Sequence, residues 1–338
     1  MVLVTGATGI LGRVIVLELL KRGKSVRAAK RKNSNLDEVR ESFKFYVENP
    51  DELFQKIEWV EVDFESQDSL ANALNRIEEV YHCAAMVSFH PKDEKLMYQT
   101  NIEGTKKLLY ACENSSVKKF LFVSSIAVLD GVNEEGLVDE ESDFNPKIDH
   151  SSYAISKHFS EMEVWRASAE GLQTVIVNPG IIIGSGNWKQ SSGRIFKDLG
   201  ERSFTFSGGS AYVDVRDVAN ISVELMEKNV FGERFILISE NKKYLEVANF
   251  IRNLSGKSAS KVIPNSLLKL GVFLNAIFGW LISPLKMVNA MNVKSVTEFN
   301  KISNKKITER LNWKFISVEE SLTFHFKNYK SSQLKKYH

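Results

Sequence analysis

Two side chains with complementary proton chemistry, Tyr153 and Lys157, stand four residues apart in the sequence. If this segment is helical, both side chains lie on one face of the helix. A lysine cation beside a phenol favours the phenolate and lowers the tyrosine pKa, so we expect Tyr153 to act as a general acid or base. Upstream, Ser124 and Ser125 end an apolar run, where a hydroxyl group is placed to hydrogen-bond a reacting oxygen. The pattern predicts proton transfer to or from an oxygen bound to carbon.

A glycine-rich turn lies near the start of the chain. It fits the pattern G-x-x-G-x-x-G between an apolar strand and a segment with apolar residues at helical spacing. Glycine permits a tight turn and lets backbone N–H groups approach a pyrophosphate, whose charge is favoured at a helix N-terminus. The alternative is a tight turn without a ligand. We expect a nicotinamide dinucleotide to contact six residues of this turn: Gly6, Thr8, Gly9, Ile10, Leu11 and Gly12.

The end of the second strand normally selects the cofactor, because an acid there binds the ribose hydroxyls of NAD and a base accommodates the phosphate of NADP. Here three cations, Lys30, Arg31 and Lys32, occupy the position and no acid does. NADP(H) is therefore the preferred cofactor, with NAD(H) as the alternative; a solvated basic loop is the structural alternative. Asp63, after the third strand, is placed either to cap the adenine pocket or to cap the following helix.

Short apolar runs alternate with helical patterns through the first half of the chain. This alternation predicts an α/β fold, a Rossmann-type doubly wound parallel sheet with a smaller C-terminal substrate lobe. We expect residues 1–180 to form the NAD(P)-binding domain, with later segments at about 210–240 returning to it, and residues 181–338 to form mainly the substrate-binding lobe. The expected strands are 2–4, 25–29, 59–62, 79–83, 120–123 and 174–177; the clearest expected helices are 13–21, 70–76 and 104–113.

Composition narrows the functional class. The formal charge of +3 is small for 338 residues and no long basic block is present, so nucleic acid is not an expected partner. Only two cysteines occur, the first residues lack a signal-peptide pattern, and a cytoplasmic enzyme fits best. The six histidines have no metal-ligand spacing, so we assign no metal, and His82 is interpreted as a core residue. A monomer or a homodimer that binds a small molecule is expected.

Taken in order, the motifs resemble the extended short-chain dehydrogenase/reductase family. This group includes nucleotide-sugar epimerases and dehydratases, dihydroflavonol and cinnamoyl-CoA reductases, and 3β-hydroxysteroid dehydrogenases. The resemblance covers nearly the whole chain, and an ordered set of motifs is far more specific than any one of them. The matching pieces are the glycine turn, Asp63, 82–85, 101–105, Ser124 with Ser125, Tyr153 with Lys157, 178–180 and 212–219.

The resemblance implies a role for each matching position. Tyr153 becomes the proton donor or acceptor, Lys157 tunes it and holds the nicotinamide ribose, and Ser125, rather than Ser124, becomes the oxyanion partner. Asn101 supports the site from the start of a helix, with a simple N-cap as the alternative. Further residues are expected to line the cofactor: Phe64, Ala84, Ala85, Met86, Pro179, Gly180 and Ile181.

The sequence departs from the sugar-nucleotide branch after the catalytic serine, where residues 127–131 lack the tyrosine of a V-Y-G element. Residues 86–89 and 181–183 are mostly apolar, and such walls suit an apolar carbonyl substrate better than a charged diphosphate. We therefore expect a reductase or alcohol dehydrogenase. The alternatives are a nucleotide-sugar epimerase or dehydratase, with Arg194, Arg202 and Arg216 as candidate diphosphate ligands, and a nicotinamide-binding regulator without chemistry.

Residues 267–287 form an unusually apolar segment. Asn275, Ser283 and Pro284 interrupt it, so it falls short of the roughly 20 residues that a bilayer core requires. We expect a buried or substrate-covering helix in the second lobe; the alternatives are peripheral contact with a membrane and a hydrophobic lid for a lipid-like substrate. Residues 302–313 are interpreted as a C-terminal helix that packs on this lobe.

Overall fold

A computed structural model describes residues 1–88, 90–188, 191–278 and 288–334 of the chain. In this part, seven parallel strands form one sheet in the order β10-β6-β5-β4-β1-β2-β3. The strands are β1 Val2–Thr5, β2 Val26–Lys30, β3 Glu58–Glu61, β4 Glu79–His82, β5 Lys119–Val123, β6 Gln173–Pro179, β7 Ile181–Ile183, β8 Phe204–Thr205, β9 Gly209–Asp214, β10 Glu233–Leu237, β11 Glu240–Lys243 and β12 Lys261–Val262.

The helices of the described residues cover both faces of this sheet, which confirms the Rossmann-type fold. On one face α1 packs against α9, and on the other α6 packs against α7. They are α1 Gly12–Lys21, α2 Leu36–Phe43, α3 Pro50–Gln55, α4 Gln67–Leu74, α5 Glu94–Tyr98, α6 Gly104–Glu113, α7 Ser152–Ala169, α8 Ile195–Glu201, α9 Val215–Glu227, α10 Tyr244–Leu254, α11 Asn265–Phe278, α12 Ala290–Thr297, α13 Lys305–Leu311 and α14 Val318–Leu334.

The strand order reverses between β1 and β4, because the chain first adds β2 and β3 on one side and then β4 onwards on the other. In such sheets, ligands bind at the carboxyl ends of the strands beside this reversal. His82 is buried at this end of the sheet, where its imidazole is hydrogen-bonded to the hydroxyls of Thr5 (2.6 Å) and Thr105 (2.9 Å). Burial lowers its pKa to about 3, so the imidazole is neutral and structural.

A smaller lobe follows β6. It contains a three-stranded sheet, β11-β9-β7, and the pair β12-β8, while β10 returns to the central sheet beside β6. The helix expected over residues 302–313 is shorter in the structure, where α13 covers Lys305–Leu311 and ends at Asn312 in the left-handed region (φ +51°). It packs against β10 of the central sheet, so the expectation that it packs on the smaller lobe is wrong. Within the described residues no helix combines the length and the apolar character that a membrane crossing needs.

Candidate active site

The glycine turn follows β1, and two of its glycines are required by its own packing. Gly6 has φ +64°, and a Cβ there would lie 2.7 Å from the backbone of Cys83 and Ala84. A Cβ on Gly12 would lie 2.2 Å from the Gly6 carbonyl oxygen. The turn therefore packs Gly6 against the end of β4 and the start of α1 against Gly6, which is possible only without side chains at these positions.

Gly9 differs from the other two glycines. Its amide donates to the Gly6 carbonyl (2.8 Å), and a Cβ there would meet only that same oxygen, at 3.1 Å. A side chain at Gly9 would therefore project outward, into space beside the N-terminus of α1. This is the position at which a pyrophosphate needs close access to the backbone.

The buried side chain of Arg13 stabilises the glycine turn, a role that the glycine pattern did not reveal. Its guanidinium is 1% exposed and donates to the carbonyl oxygens of Thr8 (2.5 Å) and Gly9 (3.1 Å). Glu38 on α2 lies 3.4 Å away. Because two turn carbonyls are held inward, the turn is fixed by a charged group in the first turn of α1. The only sequence signal for this role is a cation within an otherwise apolar stretch.

The ends of β2 and β3 carry the residues expected to contact the adenosine half of the cofactor. Lys30 lies 3.9 Å from Glu61 of the neighbouring strand, whereas Arg31 and Lys32 are exposed in the loop that follows. Asp63 accepts from the amide of Glu65 (2.9 Å). Ser66, not Asp63, caps α4, so the expectation of an ordinary N-cap at Asp63 is wrong.

The segment after β4 carries the small residues Ala84 and Ala85, followed by Met86. Asn101 braces this segment: it accepts from the amide of Met86 (2.7 Å) and donates to its carbonyl (2.9 Å) and to Ser156 (2.9 Å). Asn101 lies inside a continuous helical stretch, in a π-helical turn at Gln99–Glu103, so it neither begins a helix nor caps one. It supports the site by joining the β4 loop to α7.

Ser125 and Tyr153 meet at the carboxyl end of β5. Ser125 follows the strand in an extended conformation, and its hydroxyl is hydrogen-bonded to the Tyr153 side chain. Ser124, the preceding residue, is buried. Tyr153 lies in the first turn of α7, which Ser151 caps by accepting from the amide of Ala154.

Lys157 lies one turn further along α7 and is 2% exposed. Its ammonium donates to the Val123 carbonyl (2.7 Å) and lies 4.0 Å from the centre of the Phe122 ring. Burial lowers its pKa to about 7, while the neighbouring Glu161 carboxylate opposes that shift. The structure thus brings Ser125, Tyr153 and Lys157 to one strand end.

The pKa of Tyr153 differs from the expected direction. Burial raises it above its usual value, and the hydrogen bond with Ser125 only partly offsets this effect. The expectation that Lys157 lowers this pKa is therefore not met, since the ammonium is directed to the Val123 carbonyl. At neutral pH the phenol is protonated, which is the state that a proton donor requires.

A buried carboxylate, Glu161, stands behind Lys157 on the same face of α7. It is 2% exposed, accepts from Asn178 (2.7 Å) and lies 3.7 Å from Arg234. Asn178 also donates to the Ser125 carbonyl (3.1 Å). The spacing of Tyr153, Lys157 and Glu161, four residues each, was a signal for this group, but its partners on β6 and β10 are distant in sequence.

The junction of β6 and β7 forms another side of the strand-end region. A Cβ on Gly180 would lie 2.4 Å from the Ala211 carbonyl oxygen, so glycine is required there by packing. Pro179 is buried and Ile181 is partly buried, whereas Ile183 is fully buried in the core of the smaller lobe. The expectation that Ile183 forms part of an apolar substrate wall is therefore wrong. In the other expected wall, Val87 is exposed and residue 89 lies outside the described residues.

The arginines considered as diphosphate ligands already have acidic partners. Arg216 makes two hydrogen bonds to Asp214 (2.8 and 2.9 Å) and lies 4.1 Å from the centre of the Phe324 ring. Arg194 and Arg202 both lie near Asp198, at 3.3 and 3.6 Å. The structure does not bring the three cations together around one site.

Comparison with known proteins identifies the class. Residues 2–237 match the model of the NAD-dependent epimerase/dehydratase family, so the chain belongs to that family and is an NAD-dependent enzyme of the extended short-chain dehydrogenase/reductase group. Similar proteins include sterol demethylase protein B of Methylococcus capsulatus, 30% identical over 75% of this chain and 74% of that protein. Another is a putative dihydroflavonol 4-reductase of Synechocystis, 29% identical over 76% and 73%.

Solved structures agree on the fold. UDP-glucose 4-epimerase from Thermotoga maritima superposes with a TM-score of 0.76, covering 98% of this chain and 99% of that one, at 21% sequence identity. At this identity the likeness concerns the architecture. Reductases and epimerases share it, so the reaction must be argued from the site.

Proposed function

We propose that this enzyme transfers a hydride between a nicotinamide cofactor and a carbon bearing oxygen, and that it reduces a carbonyl group of a small apolar substrate. The observation that carries the proposal is the hydrogen bond between Ser125 and a protonated Tyr153 at the end of β5, with Lys157 on the same helix face. Two hydroxyl donors converge there, and a carbonyl oxygen needs such donors as it gains negative charge.

The residues around the strand ends fit a dinucleotide. Gly9 leaves open space at the start of α1, Arg13 fixes the turn, and Ala84 and Ala85 keep the neighbouring loop free of long side chains. The glycine turn would hold the pyrophosphate on its backbone amides. When bound, the nicotinamide ring supplies or accepts the hydride.

In the direction of reduction, Tyr153 donates its phenolic proton to the substrate oxygen as the carbonyl becomes an alcohol. Ser125 donates a hydrogen bond to the same oxygen and so stabilises its developing charge. Lys157, with an ammonium at the end of β5, contributes positive charge to the site and orients the cofactor ribose. Asn101 keeps the β4 loop in register with α7 through its bonds to Met86 and Ser156.

Two features favour reduction over rearrangement of a nucleotide sugar. A diphosphate calls for convergent, uncompensated cations. Arg216 instead forms a bidentate pair with Asp214, and Arg194 and Arg202 share Asp198. Several similar proteins, including dihydroflavonol 4-reductase of Arabidopsis thaliana (26% identical), also carry the names of reductases.

The reaction class is tested by following NADPH absorbance with aromatic aldehydes, ketosteroids and UDP-sugars. Net oxidation of NADPH with a carbonyl compound supports the proposal. Isomerisation of a UDP-sugar without net NADPH loss would replace it with an epimerase, and cofactor binding without turnover of any class would indicate a regulator.

NADP(H) is the proposed cofactor, because Arg31 and Lys32 are exposed cations beyond β2. Lys30 is partly compensated by Glu61, so Arg31 is the sharper test. Arg31→Ala should weaken NADPH binding while leaving NADH binding nearly unchanged. Lys24→Ala, a partly exposed cation before β2 that lies 3.8 Å from Glu79, is the matched control. Equal affinities of the parent enzyme for NADPH and NADH would contradict this preference.

A further inference from the structure

Helix α11 of the smaller lobe exposes the apolar residues that a helix normally buries. Leu267 is 57% exposed, Leu270 50%, Phe273 61% and Leu274 36%. At about 100° per residue these four side chains lie within an arc of about 120° around the helix. Leu268, on another side of the helix, is the residue that is buried. The expectation was a buried or substrate-covering helix, and burial is wrong for this face of the described part. Residues 279–287 lie outside the described residues.

The strand pair that precedes α11 carries two further exposed apolar residues. Phe204 on β8 and Val262 on β12 are 55% and 36% exposed, and the pair is joined to the start of α11 by a hydrogen bond between Ser207 and Asn265 (3.0 Å). Phe204 is paired with Lys261 and Val262 with the buried Thr205, so Phe204 and Val262 point to opposite faces of this strand pair. We therefore define the apolar docking face by the four exposed residues of α11: Leu267, Leu270, Phe273 and Leu274. A run of exposed large apolar residues of this kind marks an interaction surface.

The stretch of sequence that contains this face carries cations and no acids. The chain has no aspartate or glutamate between Val247 and Thr297, although 42 of its 338 residues are acidic. Lys261 and Lys269 in this stretch are exposed, and Lys269 lies on α11 itself. Lys294 is also exposed but lies 3.9 Å from Glu298. An apolar helix face that carries lysines and no acids is complementary to a surface that is both apolar and negatively charged.

We propose that the apolar docking face binds the surface of an anionic lipid bilayer, with α11 lying in the plane of the interface. The four apolar side chains enter the region between headgroups and acyl chains, while the lysines contact the acidic headgroups. A second copy of the chain fits less well, because a symmetric contact through this face would place lysines against lysines. The proposal is independent of the proposed reaction, since it uses no residue of the active site.

The test is co-sedimentation of the full-length enzyme with vesicles of phosphatidylcholine alone and of phosphatidylcholine mixed with phosphatidylglycerol. The enzyme should sediment with the anionic vesicles and much less with the neutral ones. Raising the ionic strength from about 0.15 M to about 1 M shortens the Debye length from about 8 to about 3 Å, so binding should weaken but not vanish. Failure to bind anionic vesicles would overturn the proposal.

Substitutions separate the apolar and the charged contributions. The double variant Leu270→Glu with Phe273→Glu should reduce partitioning at least about tenfold, since each buried apolar side chain is worth about a factor of ten. Lys261→Ala with Lys269→Ala should weaken binding to anionic vesicles only. Val132→Glu is the matched control, because Val132 is also 57% exposed but lies in the loop after β5. Unchanged binding of the double variant would overturn the proposal.

Thermal unfolding by circular dichroism and NADPH titration confirm that each variant is folded. If the double variant instead converts a dimeric enzyme to a monomer and neither protein binds vesicles, a second copy covers the face and the lipid proposal is overturned.

Discussion

Helices α7 and α11 both invert the usual rule that apolar side chains face inward and charged ones outward. Helix α7 buries Lys157 and Glu161, and α11 exposes Leu267 and Phe273. On α7 the inversion is explained within the chain, because the buried charges meet the Val123 carbonyl, Asn178 and Arg234. On α11 the described residues offer no such cover for the exposed side chains. The comparison teaches that a buried charge with internal partners indicates chemistry, whereas an exposed apolar face indicates an external partner.

The largest expected effect on stability comes from removing Glu161. Glu161→Leu should lower the free energy of unfolding by about 3–5 kcal/mol, because it leaves buried cations without their carboxylate. Urea unfolding measures this loss. Glu163→Leu is the control on the same helix: Glu163 pairs with Arg166 at the surface and should cost at most about 1 kcal/mol. Equal losses of unfolding free energy in the two variants would show that the buried contacts of Glu161 stabilise the fold no more than the ion pair of Glu163 does.

A pH dependence should follow from Lys157. Burial lowers its pKa to about 7, below the unfolded value of 10.5, so between these values the unfolded chain binds more protons. Stability attributable to this group therefore rises as pH increases from about 7 towards 10.5, and the full penalty of the buried cation is present below about 7. Urea unfolding of the parent and of Lys157→Met at pH values on either side of 7 should show the difference. Parallel curves would contradict a buried, destabilised ammonium.

The smallest effect is expected on α11 in the absence of lipid. Leu267→Glu should change the free energy of unfolding by no more than about 0.5 kcal/mol, because the side chain is 57% exposed. Leu268→Glu, at the neighbouring buried position, should cost several kcal/mol, since it buries an unpaired carboxylate. Thermal and urea unfolding compare the two. Similar losses would mean that the exposed stripe is covered within the folded enzyme.

Much of the first half of the fold was predictable, because its signals are local. The glycine turn, the alternation of strands and helices, and the four-residue spacing of Tyr153 and Lys157 all lie within short stretches of sequence. They led to the parallel sheet and to the strand ends where Ser125 and Tyr153 meet. Local patterns suffice there because most neighbouring strands of the sheet follow each other in the chain; the pairs β1–β4 and β6–β10 are the exceptions.

The remaining features depend on contacts distant in sequence. Glu161 contacts Asn178 and Arg234, which are distant in sequence. Burial raises the pKa of Tyr153. Short-range spacing reveals neither these contacts nor this burial. Asn101 looked like a helix start, but the helix continues through it. The apolar composition of residues 267–278 predicted a buried or substrate-covering helix, and burial is wrong for the apolar stripe that α11 exposes. Composition alone does not say whether the apolar partner of such a face belongs to the same chain.

The central claim is that Tyr153 gives its proton to the carbonyl oxygen of the substrate. The most direct test is the turnover of Tyr153→Phe with NADPH and the carbonyl compound that the parent enzyme reduces fastest, alongside Tyr110→Phe, a control at an exposed tyrosine of α6. We predict that Tyr153→Phe binds NADPH as the parent does but turns over at least about 10²-fold more slowly, because only the proton donor is lost. Tyr110→Phe should retain normal turnover. Near-normal turnover of Tyr153→Phe would contradict the assignment of the acid and with it the proposed mechanism.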